Sequence, residues 1–178
     1  MAINTFSSGV NTSFSTQLNE NFNERTKVLT AGLSSSSTSS TSAASLASIS
    51  LTQHSSTTAY HIAAYIGVSS LSGNGSIVVR LTDGTNNTDY TLDVDGAKTS
   101  GYVYLGLDIF PTSSTQAMVG GVVGGATGTT NSDAGFADVQ TLAGSISYSA
   151  LNSIKLLGKV GTSGTIYLHG YNVQRVGI

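Results

Sequence analysis

The sequence predicts an all-β protein, a β-sandwich or jelly roll with a short N-terminal helix and a Ser-rich linker, on three observations. From residue 49 onward, apolar and polar residues alternate with period 2 in short runs. Clusters of Gly, Asn and Asp punctuate those runs, and no helical periodicity appears among them. Short strands that each bury one face need a second sheet to cover it. At 178 residues, the chain has room for one domain of about 100–150 residues and a short appendage. The expected division is an anchor segment at 1–30, a linker or extended arm at 31–48, and a sandwich at 49–178.

Within the anchor, Val10, Phe14, Leu18 and Phe22 recur four residues apart, the spacing of one face of a helix over about residues 11–25. Asn11 or Ser13 would cap its start. A helix this short is marginal alone in water, so Phe14, Leu18 and Phe22 need a surface to dock on. That surface is either the chain's own sheet or a neighbouring chain. A heptad seam through Leu18, Phe22 and Leu29 would put Ser15 and Arg25 in its core, which favours a single docking helix over a coiled coil.

Residues 34–48, SSSSTSSTSAASLAS, cannot bury enough apolar area to offset their chain entropy, and they read as the linker or arm. The strands expected after them are Ile49–Gln53, Ala59–Val68, Ser76–Thr82, Asp89–Val94, Tyr102–Phe110, Gln116–Val123, Val139–Leu142, Ser145–Tyr148, Ser153–Lys159 and Thr165–Val176. Turn signals at 72–75, 83–86, 95–96, 120–135 and 161–164 separate them. In Tyr102–Phe110, alternation puts Val103, Leu105, Leu107 and Ile109 on one face and Tyr102, Tyr104 and Asp108 on the other. In Thr165–Val176 the same rule groups Ile166 with Leu168, and sets Tyr167, His169, Tyr171 and Arg175 opposite them.

Composition excludes several classes of function. Only 9% of residues are charged, against about 25% in ordinary soluble domains, so the surface is Ser, Thr, Asn and Gly. A net charge of −2 supplies no field for phosphates, so neither nucleic acid nor an anionic membrane is an expected partner. With no cysteine, disulfides, thiolate zinc sites and thiol nucleophiles are all ruled out. The opening MAINTFSSGV lacks the basic and apolar regions of a signal peptide, and no apolar run reaches the about 18 residues of a membrane span. Synthesis in the cytosol is therefore expected.

No catalytic constellation stands out, and an enzyme is not expected. There is no GxSxG turn to present a serine nucleophile. Of the aspartates, Asp83, Asp89, Asp93, Asp95, Asp108, Asp133 and Asp138, most lie in or beside turns, where local backbone bonding explains them. Asp89, Asp93 and Asp95 could offer oxygens to calcium, but the spacing is not that of an EF-hand. His54, His61 and His169 lie far apart without an HExxH pairing, so no metal and no cofactor is expected. The Gly120–Gly128 run lacks the lysine of a phosphate-binding loop. The tyrosines say more, for all eight lie from Tyr60 onward. Tyr102, Tyr104, Tyr167, His169 and Tyr171 form the expected ligand-binding or interface set, since an aromatic row can stack on sugars or fill an interface.

Two segments carry a resemblance. Ile3-Asn-Thr-Phe-Ser-Ser-Gly-Val10 followed by Leu18-Asn-Glu-Asn-Phe22-Asn resembles the N-terminal segment of bacteriophage tail, fibre and head-decoration proteins. The closing run Gly164–Arg175 looks like the last strand of carbohydrate-binding-type jelly rolls. The first resemblance implies a virion part, anchored through Val10, Phe14, Leu18 and Phe22 to capsid or tail proteins, and usually a homotrimer. The expected function is thus a non-enzymatic virion structural protein: capsid decoration, head fibre or short tail fibre. The alternative is a module that binds carbohydrate or a receptor on the host surface. Virion assembly in the cytosol and release by lysis would reconcile a Ser/Thr-rich composition of extracellular character with the absence of an export pattern.

Overall fold

A computed structural model describes residues 26–33, 36–51, 54–94, 100–127, 130–131, 134–141 and 146–176. The helix expected over about residues 11–25, with Val10, Phe14, Leu18 and Phe22, lies outside them. The strands are β1 (Thr26–Leu33), β2 (Ser37–Thr38), β3 (Ala44–Ser50), β4 (Ala59–Ser72), β5 (Gly75–Thr82) and β6 (Asn87–Val94). They continue with β7 (Ser100–Ser113), β8 (Gln116–Thr127), β9 (Thr130–Asn131), β10 (Ala134–Thr141), β11 (Ser153–Lys159) and β12 (Ser163–Val176). Among the described residues, the one helical element is a 3-10 turn at Tyr148–Ala150, and no helix is long and apolar enough to cross a membrane.

The strands form two antiparallel sheets. The larger runs β1-β12-β4-β7-β8-β10, with β2 beside β12 and β9 beside β8; the smaller runs β3-β11-β5-β6. Ile62, Ile66, Leu105 and Leu107 of the larger sheet and Ile77, Val79, Ile154 and Leu156 of the smaller one meet in a single buried cluster. The described residues form an all-β unit, one sheet covering the other, as alternation with one apolar face requires.

The Ser-rich stretch contributes to both sheets. The backbone N–H of Leu168 donates to the Ser36 carbonyl and that of Val160 to the Ser40 carbonyl, both at 2.9 Å. Residues 44–50 then pair with β11, so this strand starts earlier than the expected Ile49–Gln53. The register skips Leu46 between Ser45 and Ala47, a bulge that lets both Leu46 and Ile49 enter the core. Two apolar anchors three residues apart match no period-2 pattern, and so the strand is hidden in the sequence.

A second bulge re-phases β12. Leu168 pairs with Ile66, but Gly170 pairs with Tyr65, so His169 is the extra residue. Before the bulge Ile166 and Leu168 face the core; beyond it Tyr171 pairs with Ala64, Val173 with Ile62 and Arg175 with Tyr60, all on the core side. Alternation alone sets Tyr171 and Arg175 beside Tyr167; the bulge moves them to the opposite face. Two further expectations are corrected. The glycines of 120–127 do not break the chain but sit within β8, where they pair with β7, and Tyr148 opens the 3-10 turn instead of closing a strand.

Candidate functional site

On β4, the residues at 60, 62, 64, 66 and 68 are buried, so His61, Ala63, Tyr65, Gly67 and Ser69 face away from the core. The antiparallel registers build this outer face in rows running across the sheet. Tyr167, Gly67 and Tyr102 form the first row, and Gly170, Tyr65 and Tyr104 the second. The third is Asn172, Ala63 and Gly106, and the fourth is Gln174, His61 and Asp108.

The first two rows are aromatic. Tyr102 and Tyr65 are 63% and 59% exposed, a large apolar surface left open to water. The His169 ring lies 5.5 Å from that of Tyr102 and 6.0 Å from that of Tyr167, nearly parallel to the latter at 18°. Tyr65 and Tyr104 pair at 5.3 Å with a 56° tilt, a separation within the range of favourable ring contacts.

Two glycines act as floors under these rings. A methyl group at Gly67 would overlap the His169 Nε2 edge, and one at Gly106 would come within 3.2 Å of the Tyr104 ring and hydroxyl. Absence of a side chain there lets each ring lie low over the sheet. Gly67, Ser69, Ser100, Tyr102, Tyr167 and His169 line a cleft of about 460 Å³. At the far end of the face, His61 Nδ1 meets Asp108 Oδ1 at 2.6 Å, a cross-strand hydrogen bond.

Of the five residues expected to form a binding set, the structure brings together Tyr102, Tyr104, Tyr167 and His169 on this face. Tyr171 is turned to the core side and packs against its edge. Sequence reasoning missed Tyr65, although alternation in Ala59–Val68 placed it opposite the apolar residues. It also missed the His61–Asp108 pair and both glycine floors, because these depend on which residues of separate strands lie side by side.

Asp89, Asp83 and His54 have local partners. Arg80 donates from Nε and Nη2 to the two Asp89 oxygens at 2.6 and 2.7 Å, which occupies the carboxylate considered for calcium. Asp95 lies outside the described residues. Asp83 accepts from the backbone N–H groups of Thr85 and Asn86, which holds its carboxyl below the usual range. Among the described residues, no three His, Cys, Asp or Glu side chains gather as a metal site. His54 is away from the face: its Nε2 donates to the Tyr148 carbonyl at 2.5 Å, and the Tyr60 hydroxyl donates to its Nδ1 at 2.6 Å.

No family model matches the chain, and no curated protein matches it. Three solved structures overlay on it at low similarity. Arcelin-5, a lectin-like defense protein from Phaseolus vulgaris, is 7% identical with a TM-score of 0.48, over 83% of this chain and 93% of its own. The CBM2 module of an evolved Dit from Lactobacillus casei BL23 phage J-1 is 11% identical with a TM-score of 0.38, over 74% and 69%. A structure from infectious bursal disease virus, Gx strain, is 13% identical with a TM-score of 0.25, over 86% and 41%. At these scores the overlays carry no weight, and function is read from the outer face itself.

Proposed function

We propose that this chain is a non-enzymatic carbohydrate-binding β-sandwich whose larger sheet presents the binding face. The observation that carries the reading is the exposed aromatic cleft around Tyr102, Tyr167 and His169. A sugar has an apolar C–H face that stacks on a ring and a rim of hydroxyls that need partners, and Ser69 and Ser100 stand beside the rings. Size favours a small ligand over a protein partner. The cleft, about 460 Å³, falls within the roughly 300–1,000 Å³ of small-molecule sites, whereas a protein interface needs about 800 Å² of matched surface on each side.

A binding and not a hydrolytic role is supported by the acids. Glycoside hydrolysis takes two carboxylates facing one cleft. Among side chains described on this face, Asp108 is the one carboxylate, and it is held by His61. The test is a glycan array with the wild type and Tyr102→Ala. We expect wild-type binding and a loss of about tenfold or more in the variant, with thermal stability little changed because the ring is exposed. A wild type that binds no glycan, or a variant that binds as well as the wild type, would overturn the reading.

A second reading concerns where the module works, and it is supported by the bacteriophage-like opening at residues 3–25. In this reading the chain is a virion part, a capsid decoration or a head or short tail fibre, docked on other virion proteins through Val10, Phe14, Leu18 and Phe22. Several copies, as in a homotrimer, would multiply weak sugar contacts on a host surface. Phe14→Ser with Phe22→Ser is expected to strip the protein from particles; full occupancy of the double variant would reject the anchor.

A further inference from the structure

We infer that the ligand of this face is a linear, uncharged oligosaccharide laid along β4 and β7, and not a single sugar; the inference rests on the carbohydrate reading and specifies its substrate class. The first support is the spacing of the rings. Tyr102 and Tyr104 are two residues apart on β7, so their rows are separated by about 7 Å along the strand. Each row has its own ring pair, Tyr102 with His169 and Tyr104 with Tyr65. One sugar stacked on Tyr102 therefore leaves the second pair uncovered, and a linked neighbour reaches it.

The second support is the length of the face. In the third row Ala63 carries only a methyl group and Gly106 lies under the Tyr104 ring, so the aromatic surface of the second row extends over the third. The fourth row supplies Gln174, His61 and Asp108. From the Tyr102 row to the Asp108 row the face extends about 20 Å, apolar at one end and hydrogen-bonding at the other. A chain of sugars matches that length and gradient, whereas a monosaccharide fills one step of it.

The third support is charge. Among the side chains described on this face, none is Lys or Arg, and the one acid and its histidine are already paired. A uronic, sialic or sulfated sugar would be desolvated here without a cation to meet it. Neutral hydroxyl-bearing sugars incur no such cost.

The test starts from an array of neutral and acidic glycans. The strongest neutral hit is then taken as fragments, from monosaccharide to tetrasaccharide, in calorimetric titrations of the full chain. Affinity is expected to rise by about tenfold or more from monosaccharide to trisaccharide. Tyr104→Ala should abolish that gain while leaving the monosaccharide affinity within a factor of about two of wild type. A monosaccharide bound as tightly as the trisaccharide, a Tyr104→Ala effect equal for both, or a preference for acidic glycans would each overturn the inference and leave the carbohydrate reading standing. Failure to bind any sugar would overturn both.

Discussion

His54 is held at both ring nitrogens, and that arrangement makes stability depend on pH. Burial lowers its pKa below the ordinary 6.5, with the Tyr148 carbonyl partly opposing the shift. The sign comes from proton counting: between the depressed folded value and 6.5 the unfolded chain binds more protons, so stability is lost as pH falls below 6.5. Protonated Nδ1 could no longer accept from the Tyr60 hydroxyl. Urea midpoints should therefore decline on acidification below pH 6.5, and His54→Gln should flatten that decline. Burial also raises the pKa of Tyr60 and Tyr148, so stability falls again as the unfolded chain ionises its tyrosines above about pH 10. The exposed Arg80–Asp89 pair is worth much less, about 0–1 kcal/mol. A double-mutant cycle on Arg80→Ala and Asp89→Ala should return a coupling in that range that shrinks with added salt.

Among the elements, the two bulges separate what alternation could read from what it could not. Period 2 located β4, β5, β7, β11 and β12 and sorted the inward residues of β7 without error, since β4 and β7 pair along an unbroken register. It caught only the end of β3, within the expected Ile49–Gln53, because Leu46 and Ile49 are anchors out of phase, and it could not trace β12 past His169. Both failures share one cause: a bulge adds a residue that the pattern cannot distinguish from a change of face. The same reasoning applies to the site. Tyr102, Tyr104, Tyr167 and His169 were legible strand by strand, whereas Tyr65 and the His61–Asp108 pair gained meaning only from cross-strand neighbours. If β3 is a structural strand and not a tether, Leu46→Ala should cost about 2–5 kcal/mol. Ser48→Ala, at an exposed position on the same strand, should stay within about 0.5 kcal/mol. Equal midpoints for the two variants would contradict the burial described for Leu46. Gly164 combines a φ of +115° with the Ser70 carbonyl 2.7 Å from where a Cβ would sit. Gly164→Ala is thus expected to cost about 1–3 kcal/mol by the same measurement.

As a whole molecule, the protein separates the face that stabilises it from the face it presents. Inner residues of both sheets share one cluster, so core substitutions in either sheet should report on a single cooperative transition. The outer aromatic rows contribute little to that cluster. Tyr102→Ala and Tyr65→Ala should therefore leave the unfolding midpoint almost unchanged, and a large loss of stability would mean that these rings are structural. Assembly can be weighed by light scattering on the full chain and on a variant lacking residues 1–30. If a homotrimer survives the truncation, assembly resides in the sandwich; if it is lost, the N-terminal segment is the oligomerisation element. Since the truncation also removes most of β1, which pairs with β12, loss of the trimer should be checked against Phe14→Ser with Phe22→Ser in the full chain.

The extra residue at His169 gives the last strand a parity, with consequences for how the gene can change. Loops of such a chain can gain or lose codons at little expense, because nothing beyond them changes side. In β12 a single-codon deletion at position 169 would cancel the bulge and leave the downstream pairing as it is, with Gly170 still opposite Tyr65 and Tyr171 still opposite Ala64, while the cleft would lose its central ring. The same deletion at Asn172 has no spare residue to absorb it: Val173 and Arg175 would turn to solvent and Gln174 would enter the core. Length variation among descendants of this sequence is thus expected to accumulate in the turns and to be purged from Tyr171 to Arg175. A deletion scan read out by soluble expression would show the contrast directly.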